Sequence, residues 1–517
     1  MSTDAGHSRS WGATRQSQGS WQGFDWLDRV AIAYLGLPVL IFLCGWLQWW
    51  AGLPLALLLL AGSRALWPGP DSGTNRPPIS LAVGLLVVVV ALSWSALGGA
   101  GHLFFANFDW TTRDLVLRDL VLGAWPVGYG DVAGAPLLLR APLGFYLPAA
   151  VLGKVFGLGA ADPALLAWTA LGVALFLALA VSRVASLRAA TVVVLVLVFF
   201  SGMDLVGTVL RWGLELAGNL RITDHLEWWA ERFQYSSKTT QLFWVPNHAL
   251  AGWIATALLV RHADRPEFAR ILPLLVALVP IWSPLTAVGF LPLAGAWWLQ
   301  QLVRERSLRL VDPVAMCAAV AIALVTGAYL VMGATTIPSG VTVQAGESMR
   351  TYLPHYLQFV LLEGGILWLL LLALRVDILL LVAGLVLWIL PFAAFGPGND
   401  LAMRGSIPAL VVLALAAASA VANPARALQR RVFWPILVVL LLGVPTAVTE
   451  MARAVSEPVW KPDYSHSLVP DPGKEYPAHY ATRLNGSPAL RLLKPVGNVN
   501  DVTETSGPRQ PGAEDER

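Results

Sequence analysis

Long apolar runs recur along this chain, at 30–49, 51–67, 80–98, 162–182, 189–206, 241–260, 271–283, 284–301, 313–332, 354–374, 376–395, 407–422 and 432–449. A helix rises about 1.5 Å per residue, so about 20 apolar residues cross a hydrocarbon core about 30 Å thick. None of the runs alternates polar and apolar residues as the strands of an outer-membrane barrel do, which leaves helices as the spanning element. The expected fold class is all-α: a polytopic transmembrane helical bundle of about 11–13 spans, with surface helices in a long first outer loop. Composition agrees. With 56% hydrophobic residues, 13% charged residues and a mean hydropathy of +0.63, the 517-residue chain has too little polar surface to coat a soluble globule.

Several function classes fall away at this level. Cys44 and Cys317 both lie inside apolar runs and read as small hydrophobes, not as a disulfide framework or a metal set. A net charge of +3, scattered between apolar segments, argues against a nucleic-acid surface. No Walker loop, paired histidine ligands or glycine-rich dinucleotide turn occurs, and GYGDVAG at 128–134 follows no strand signal.

Arginine placement sets the orientation, because cytoplasmic loops hold the excess of Lys and Arg. The loops SRVASLR (182–188), RHADRPEFAR (261–270), RERSLR (304–309) and NPARALQRR (423–431) are all basic and fall on one side if the N-terminus is cytoplasmic. Loops 99–161, 207–240, 333–353 and 396–406 then lie outside, provided that 143–157 does not cross. Residues 1–28, rich in Ser, Gly and Gln, read as a disordered cytoplasmic N-terminus without a cleaved signal peptide. Residues 29–452 form the transmembrane domain, and 453–517 an extracytoplasmic tail, disordered after about residue 497. The expected location is the inner (plasma) membrane.

The first outer loop opens with NFDWTTRDLVLRDLVLGAW, where Asp109, Arg113, Asp114, Arg118 and Asp119 follow directly on an apolar run. On a helical wheel Trp110, Leu117, Leu120, Val121 and Ala124 share a face, while Asp109 with Arg113 and Asp114 with Arg118 form spaced acid-first pairs. The pattern predicts an interfacial amphipathic helix whose charges are solvated. Asp109 suits two roles, a helix N-cap or an acid at the lip of a membrane pocket.

This loop, with the following LLRAPLGFYLPAAVLGKVFGLGAADPALLAWTALGVALFLALAVSRVASLR, resembles the GT-C superfamily of polyprenyl-phosphate-dependent membrane glycosyltransferases. There, a surface helix carrying proline and aromatics and ending in Phe-Gly leads into a span that finishes in a basic inner loop. Pro142, Phe145, Tyr146, Phe156 and Gly157 occupy those places. The resemblance covers about residues 80–190, and RAP stands where Lys-Pro-Pro is common. FWVPNHALAGW (243–253) and GPGNDLAMRGSIPAL (396–410) also resemble segments of bacterial membrane proteins of this general kind.

The resemblance implies transfer of a sugar from a polyprenyl-phosphate donor to an acceptor hydroxyl of an envelope glycan, lipid or protein on the outer face, with Asp109 as the loop-one acid. Such chemistry needs a carboxylate to take the hydroxyl proton and a cation to steady the leaving phosphate. Arg404, beside a helix expected to start at Ser406–Pro408, offers the cation, although a snorkelling interfacial arginine would look the same. Arg113, Asp114, Tyr146, Asn247, His248, Asn399 and Asp400 complete the candidate substrate-binding set. For Asn399 and Asp400 a turn in GPGND is the competing role, and for Asn247 and His248 a polar contact between helices. Acids of the first loop leave room for a divalent cation, but no ligand spacing specifies one. The alternative function is a transporter or lipid-linked glycan flippase; against it, charges cluster in the outer loops and hardly occur at mid-membrane depth.

Overall fold

The computed structural model describes residues 24–66, 79–132, 134–184, 186–396, 398–470, 476–484 and 488–500. Of the disorder expected over 1–28 and after about 497, residues 1–23 and 501–517 lie outside them, whereas Asp25 caps the helix Trp26–Trp46, with Asp28 buried, and Val499 is buried as well.

Every apolar run carries a helix. Seven helices are long and apolar enough to cross a membrane: Trp26–Trp46, Leu158–Val181, Leu187–Glu215, Pro313–Leu330, Met349–Leu374, Asp400–Ala422 and Phe433–Ser456. Run 284–301 carries the 22-residue helix Pro284–Glu305, which is not among the seven, and the remaining runs give shorter or interrupted helices, so the expected count of about 11–13 spans is not reached on length and apolarity alone. Run 241–260 shows why, since Pro246 cannot continue the hydrogen-bond ladder and divides Lys238–Trp244 from Pro246–Arg261. All residues of Pro246–Arg261 are buried, and the helix packs against Ala161–Val181, Pro284–Glu305 and Ile407–Ala422. Peripheral helices behave oppositely: Leu53, Leu57 and Leu60, Leu85, Val88 and Leu92, and Val320 and Leu324 turn apolar side chains outward. Apolar exposure on this scale is what a lipid-facing surface requires.

The central helix connects two chemically different ends. At its C-terminus Arg261 Nε meets Asp28 Oδ1 at 2.8 Å, and Arg183 Nη2 meets Asp264 Oδ1 at 3.1 Å. Arg375 and Arg426 lie within electrostatic reach of the same corner. The basic loops around 183, 264 and 426 thus gather at one end, and His248, about 20 Å away along the helix, belongs to the other.

The end around His248 is capped by the first long loop and the tail. Residues Gly128–Val132 and Ala135–Leu139 form an antiparallel hairpin, which Ala481–Arg483 extends to a three-stranded sheet. This hairpin departs from the all-α expectation, and GYGDVAG begins as a strand. Helix Leu147–Phe156 has only ten residues and packs on Asp109–Leu122 and Ala161–Val181, in keeping with a segment that does not cross.

Helix Asp109–Leu122 forms where the sequence places it, but not as a solvated surface helix. Arg113, Asp114, Arg118 and Asp119 are all buried. The tail covers the face that a wheel assigns to water: Arg118 Nε donates to the Tyr464 carbonyl at 3.0 Å, and Asp119 Oδ2 accepts from Leu468 N at 2.8 Å. Arg118 pairs with Asp119 at 2.6 Å, not with Asp114, which pairs with His102 at 3.1 Å. A buried charge must find a partner, and the nearest ones come from the covering segments. The Asp109–Arg113 pair forms as expected, at 3.2 Å.

Candidate functional site

Three sequence motifs meet at the end of the bundle opposite the basic loops. Helix Leu81–Leu97 stops at Gly98, and the chain turns through Gly99 at φ 93°, where a Cβ would stand 2.7 Å from the Trp110 indole nitrogen. Only glycine permits that approach. Trp110 Nε1 and Asn107 Nδ2 both donate to the Phe243 carbonyl, at 3.0 and 2.7 Å, which docks the first loop onto FWVPNH. Asn107 Oδ1 accepts from the Asp109 amide at 3.1 Å, so Asp109 follows the cap and its own carboxylate is not consumed in capping.

The second junction joins VPNH to NDLAMRGS. His248 Nδ1 is 2.7 Å from Ser283 Oγ, Ser283 Oγ donates to Thr286 Oγ1 at 2.7 Å, and Thr286 Oγ1 reaches the Arg404 carbonyl at 3.2 Å. A Cβ on Gly289 would stand 1.8 Å from the Gly405 carbonyl oxygen, so the two backbones touch directly. A helix starts at Ile407 with Ser406 as its cap residue, as expected, but Arg404 itself lies in a short helix before it, Asp400–Gly405. Arg404 therefore sits one turn inside, where Asp400 Oδ2 reaches its Nη1 at 2.9 Å in an i,i+4 pair.

These junctions bring two carboxylate–guanidinium pairs into one electrostatic group. Tyr480 senses Arg113, Arg404, Asp109 and Asp400 together, and His248 senses both Arg404 and Arg113. Asp109 is 31% exposed and its partner Arg113 only 2%. Arg113 gives Nη2 to Asp109, while its buried Nε and Nη1 have no hydrogen-bond partner among the described residues. The buried Tyr146 hydroxyl is likewise without one. Burial raises the Tyr146 and Tyr480 phenols above their ordinary values, which keeps both as neutral donors, and burial lowers His479. Donors left over in a buried, cationic corner are what an anionic ligand would satisfy.

Of the expected residues, Asp109, Arg113, Tyr146, His248, Asp400 and Arg404 come together here. Asp114 lies within electrostatic reach of Arg113 and Tyr146 but is paired with His102. Asn399 adopts a left-handed φ of 54° and donates to the Arg232 carbonyl at 3.2 Å, which makes it a turn residue. Asn247 is buried, with its Oδ1 unpartnered among the described residues. Sequence reading missed His479 and Tyr480, whose signal is the aromatic and histidine cluster YPAHY in an otherwise polar tail.

A second buried polar group includes one acid midway along a long apolar helix. Glu363 lies in the π-turn Leu361–Gly365, midway along Met349–Leu374, and accepts from Trp229 Nε1 at 2.9 Å. Its carboxyl is beside that of Asp204, which takes hydrogen bonds from Ser201 and Thr446 at 2.8 and 2.7 Å. Glu227, His225 and Glu450 continue the line, with His225 Nδ1 2.6 Å from Glu450 Oε1. Single acids spaced far apart in sequence gave no pattern to read. Apolar cavities of about 540 and 550 Å³ lie among other helices, and neither is lined by Asp109, Arg113 or Arg404.

No protein-family model, curated protein or solved structure matches the chain.

Proposed function

We propose that this chain is an integral plasma-membrane glycosyltransferase, oriented with its N-terminus in the cytoplasm, that moves a sugar from a polyprenyl-phosphate carrier to an acceptor hydroxyl at the outer face. One observation carries the reading: a part-exposed carboxylate, Asp109, shares a corner with two guanidinium groups, one of which has two buried N–H donors to spare. Asp109 takes the proton of the acceptor hydroxyl as its oxygen bonds to the anomeric carbon. The bond from that carbon to the phosphate oxygen breaks, and the phosphate leaves with the electron pair. Arg404 and Arg113 bind its developing charge, and Tyr146 and Tyr480 donate to the same anion. The acceptor is an envelope glycan, lipid or protein. The test is transfer by the purified protein from polyprenyl-phosphate sugars: turnover that disappears in Asp109→Asn supports the reading, and absence of turnover with every such donor sinks it.

The line of buried carboxyls from Glu450 to Glu363 favours one other reading, a transporter or lipid-linked glycan flippase, because chains of Asp, Glu and His inside helices mark ion and proton routes. Reconstituted vesicles separate the two: proton-coupled translocation abolished by Glu363→Gln but retained in Asp109→Asn belongs to the transporter.

A further inference from the structure

Beside the Asp109 group stands a second set of residues with a different chemistry. His102, Asp114 and Asp162 each present a ligand atom, and the three atoms lie within 4.8 Å of one another. They come from three separate places, a 3-10 turn after the third helix, the buried face of Asp109–Leu122 and the first turn of Ala161–Val181. His102 Nε2 and Asp114 Oδ2 are 3.1 Å apart, the spacing of two ligands on one small cation whose bonds are about 2.0–2.2 Å.

The polar accounting at this point does not close with protein groups. Asp114 is 2% exposed, and its hydrogen bond with His102 Nε2 runs through Oδ1 at 3.2 Å, which leaves Oδ2 without a hydrogen bond of its own among the described residues, as Asp162 Oδ1 is. Two carboxylates share the space, and Arg113, the neighbouring guanidinium, donates to Asp109 and to neither of them. Leaving such groups uncompensated in a buried position is costly, and a doubly charged ion compensates both. The backbone agrees: His102 is held at φ 51°, directly after Gly101 at φ 75°. A non-glycine residue stays in that region only where its surroundings over-determine it. The tail closes the site from above. The Trp460 ring packs edge-on to His102 with centroids 4.7 Å apart, and the Tyr464 hydroxyl stands beside the Asp162 carboxylate.

We propose that His102, Asp114 and Asp162 bind one divalent first-row cation, Zn²⁺ or Mn²⁺, beneath the tail. One imidazole with two carboxylates suits these ions better than the all-oxygen sets that Ca²⁺ and Mg²⁺ prefer. The ion orders the first loop against the tail next to the Asp109 corner, and Asp109 and Arg404 are not among its ligands. The inference therefore stands or falls independently of glycosyl transfer.

Full-length protein, stripped with EDTA in detergent and dialysed against Zn²⁺ or Mn²⁺, tests it by elemental analysis and thermal unfolding. About one ion per chain is expected in the wild type and in Asp109→Asn, with an unfolding midpoint that rises on metal addition and falls back with EDTA. Asp162→Asn and His102→Asn should bind at least about tenfold more weakly and lose the metal-dependent shift. Asparagine is the choice at 102 because it tolerates the left-handed backbone. Wild type that takes up neither ion, or Asp162→Asn that matches wild type in metal content and midpoint shift, overturns the proposal.

Discussion

At the level of single residues, the corner around Asp109 separates groups that do chemistry from groups that hold it in place. Asp109→Asn should cost about 10²–10⁴ in transfer rate with folding intact, since a positioned general base is worth that much and asparagine preserves the local hydrogen bonding. A pulse of purified donor lipid with quantified product checks it, and near-normal turnover would leave the base elsewhere. Arg404→Lys should lower donor use while Arg404→Ala nearly abolishes it, because lysine replaces a planar two-point grip with a point charge and loses the Asp400 geometry. If Arg404 merely snorkels, lysine reaches the interface as well and keeps full activity. Asp109, Arg113 and Arg404 were legible in the sequence because a charge bordering an apolar run stands out against its background. Asp204 and Glu363 were not, since each is a single acid, the two lie over a hundred residues apart in sequence, and only packing brings them together. His479 and Tyr480 escaped for a related reason: nothing local in YPAHY says that the tail folds back across the bundle.

At the level of elements, amphipathicity located helix Asp109–Leu122 and failed to say what covers it. A wheel distinguishes an apolar face from a charged one, but a charged face buried against a tail carries the same pattern as one facing water. The contact is testable through stability. Asp119→Ala removes the partner of Arg118 and of the Leu468 amide, leaving a buried guanidinium uncompensated, and should cost about 3–5 kcal/mol and loosen the tail. Thermal unfolding with limited proteolysis at 458–470 reads both effects. Close backbone approach gives a second handle: Gly289→Ala would force its helix away from Gly405, costing about 1–3 kcal/mol and displacing Arg404, so donor use should fall along with stability. The turn Leu226–Ala230 adds a pH dependence. Burial pushes the Glu227 carboxyl up to about 7, and the neighbouring Glu450 and Glu227 raise His225. The unfolded chain releases the Glu227 proton from about pH 4.5 upward while the folded chain keeps it until about 7, so stability falls across that window. His225 acts in the same sense, its contribution being present below its ordinary value of 6.5 and lost as pH rises through the raised one. Unfolding midpoints should therefore drop between pH 5 and 8, by less in Glu227→Gln, and an identical slope in that variant would assign the dependence to other groups.

For the whole molecule, the deciding question is whether its two ends face two compartments. Helix length and apolarity alone do not answer it, because seven helices pass as spans by that measure and the helices of the other runs do not. The arrangement of charge answers more. Separated basic loops could fall anywhere in a soluble fold, yet Arg183, Arg261 and Arg426 from three of them converge with Arg375 on one corner, and the Asp109–Arg404 group lies at the far end of Pro246–Arg261. Convergence of this kind is what a bundle inserted under the positive-inside rule must show, since alternate helix ends are sorted to one side. Single cysteines placed at Asp131, in the exposed part of the hairpin, and at Leu308, which is 84% exposed in the basic loop after Pro284–Glu305, should then report opposite compartments. Cys44 and Cys317 are first replaced, so that the introduced thiol is the one cysteine in each variant. In intact cells an impermeant maleimide should label Asp131→Cys and spare Leu308→Cys, while permeabilised cells label both. Labelling of Leu308→Cys alone in intact cells would invert the molecule, place the Asp109 corner in the cytoplasm and make soluble nucleotide-sugars its accessible donors. Equal labelling of both without permeabilisation would remove the membrane-spanning arrangement, and with it the lipid-linked donor.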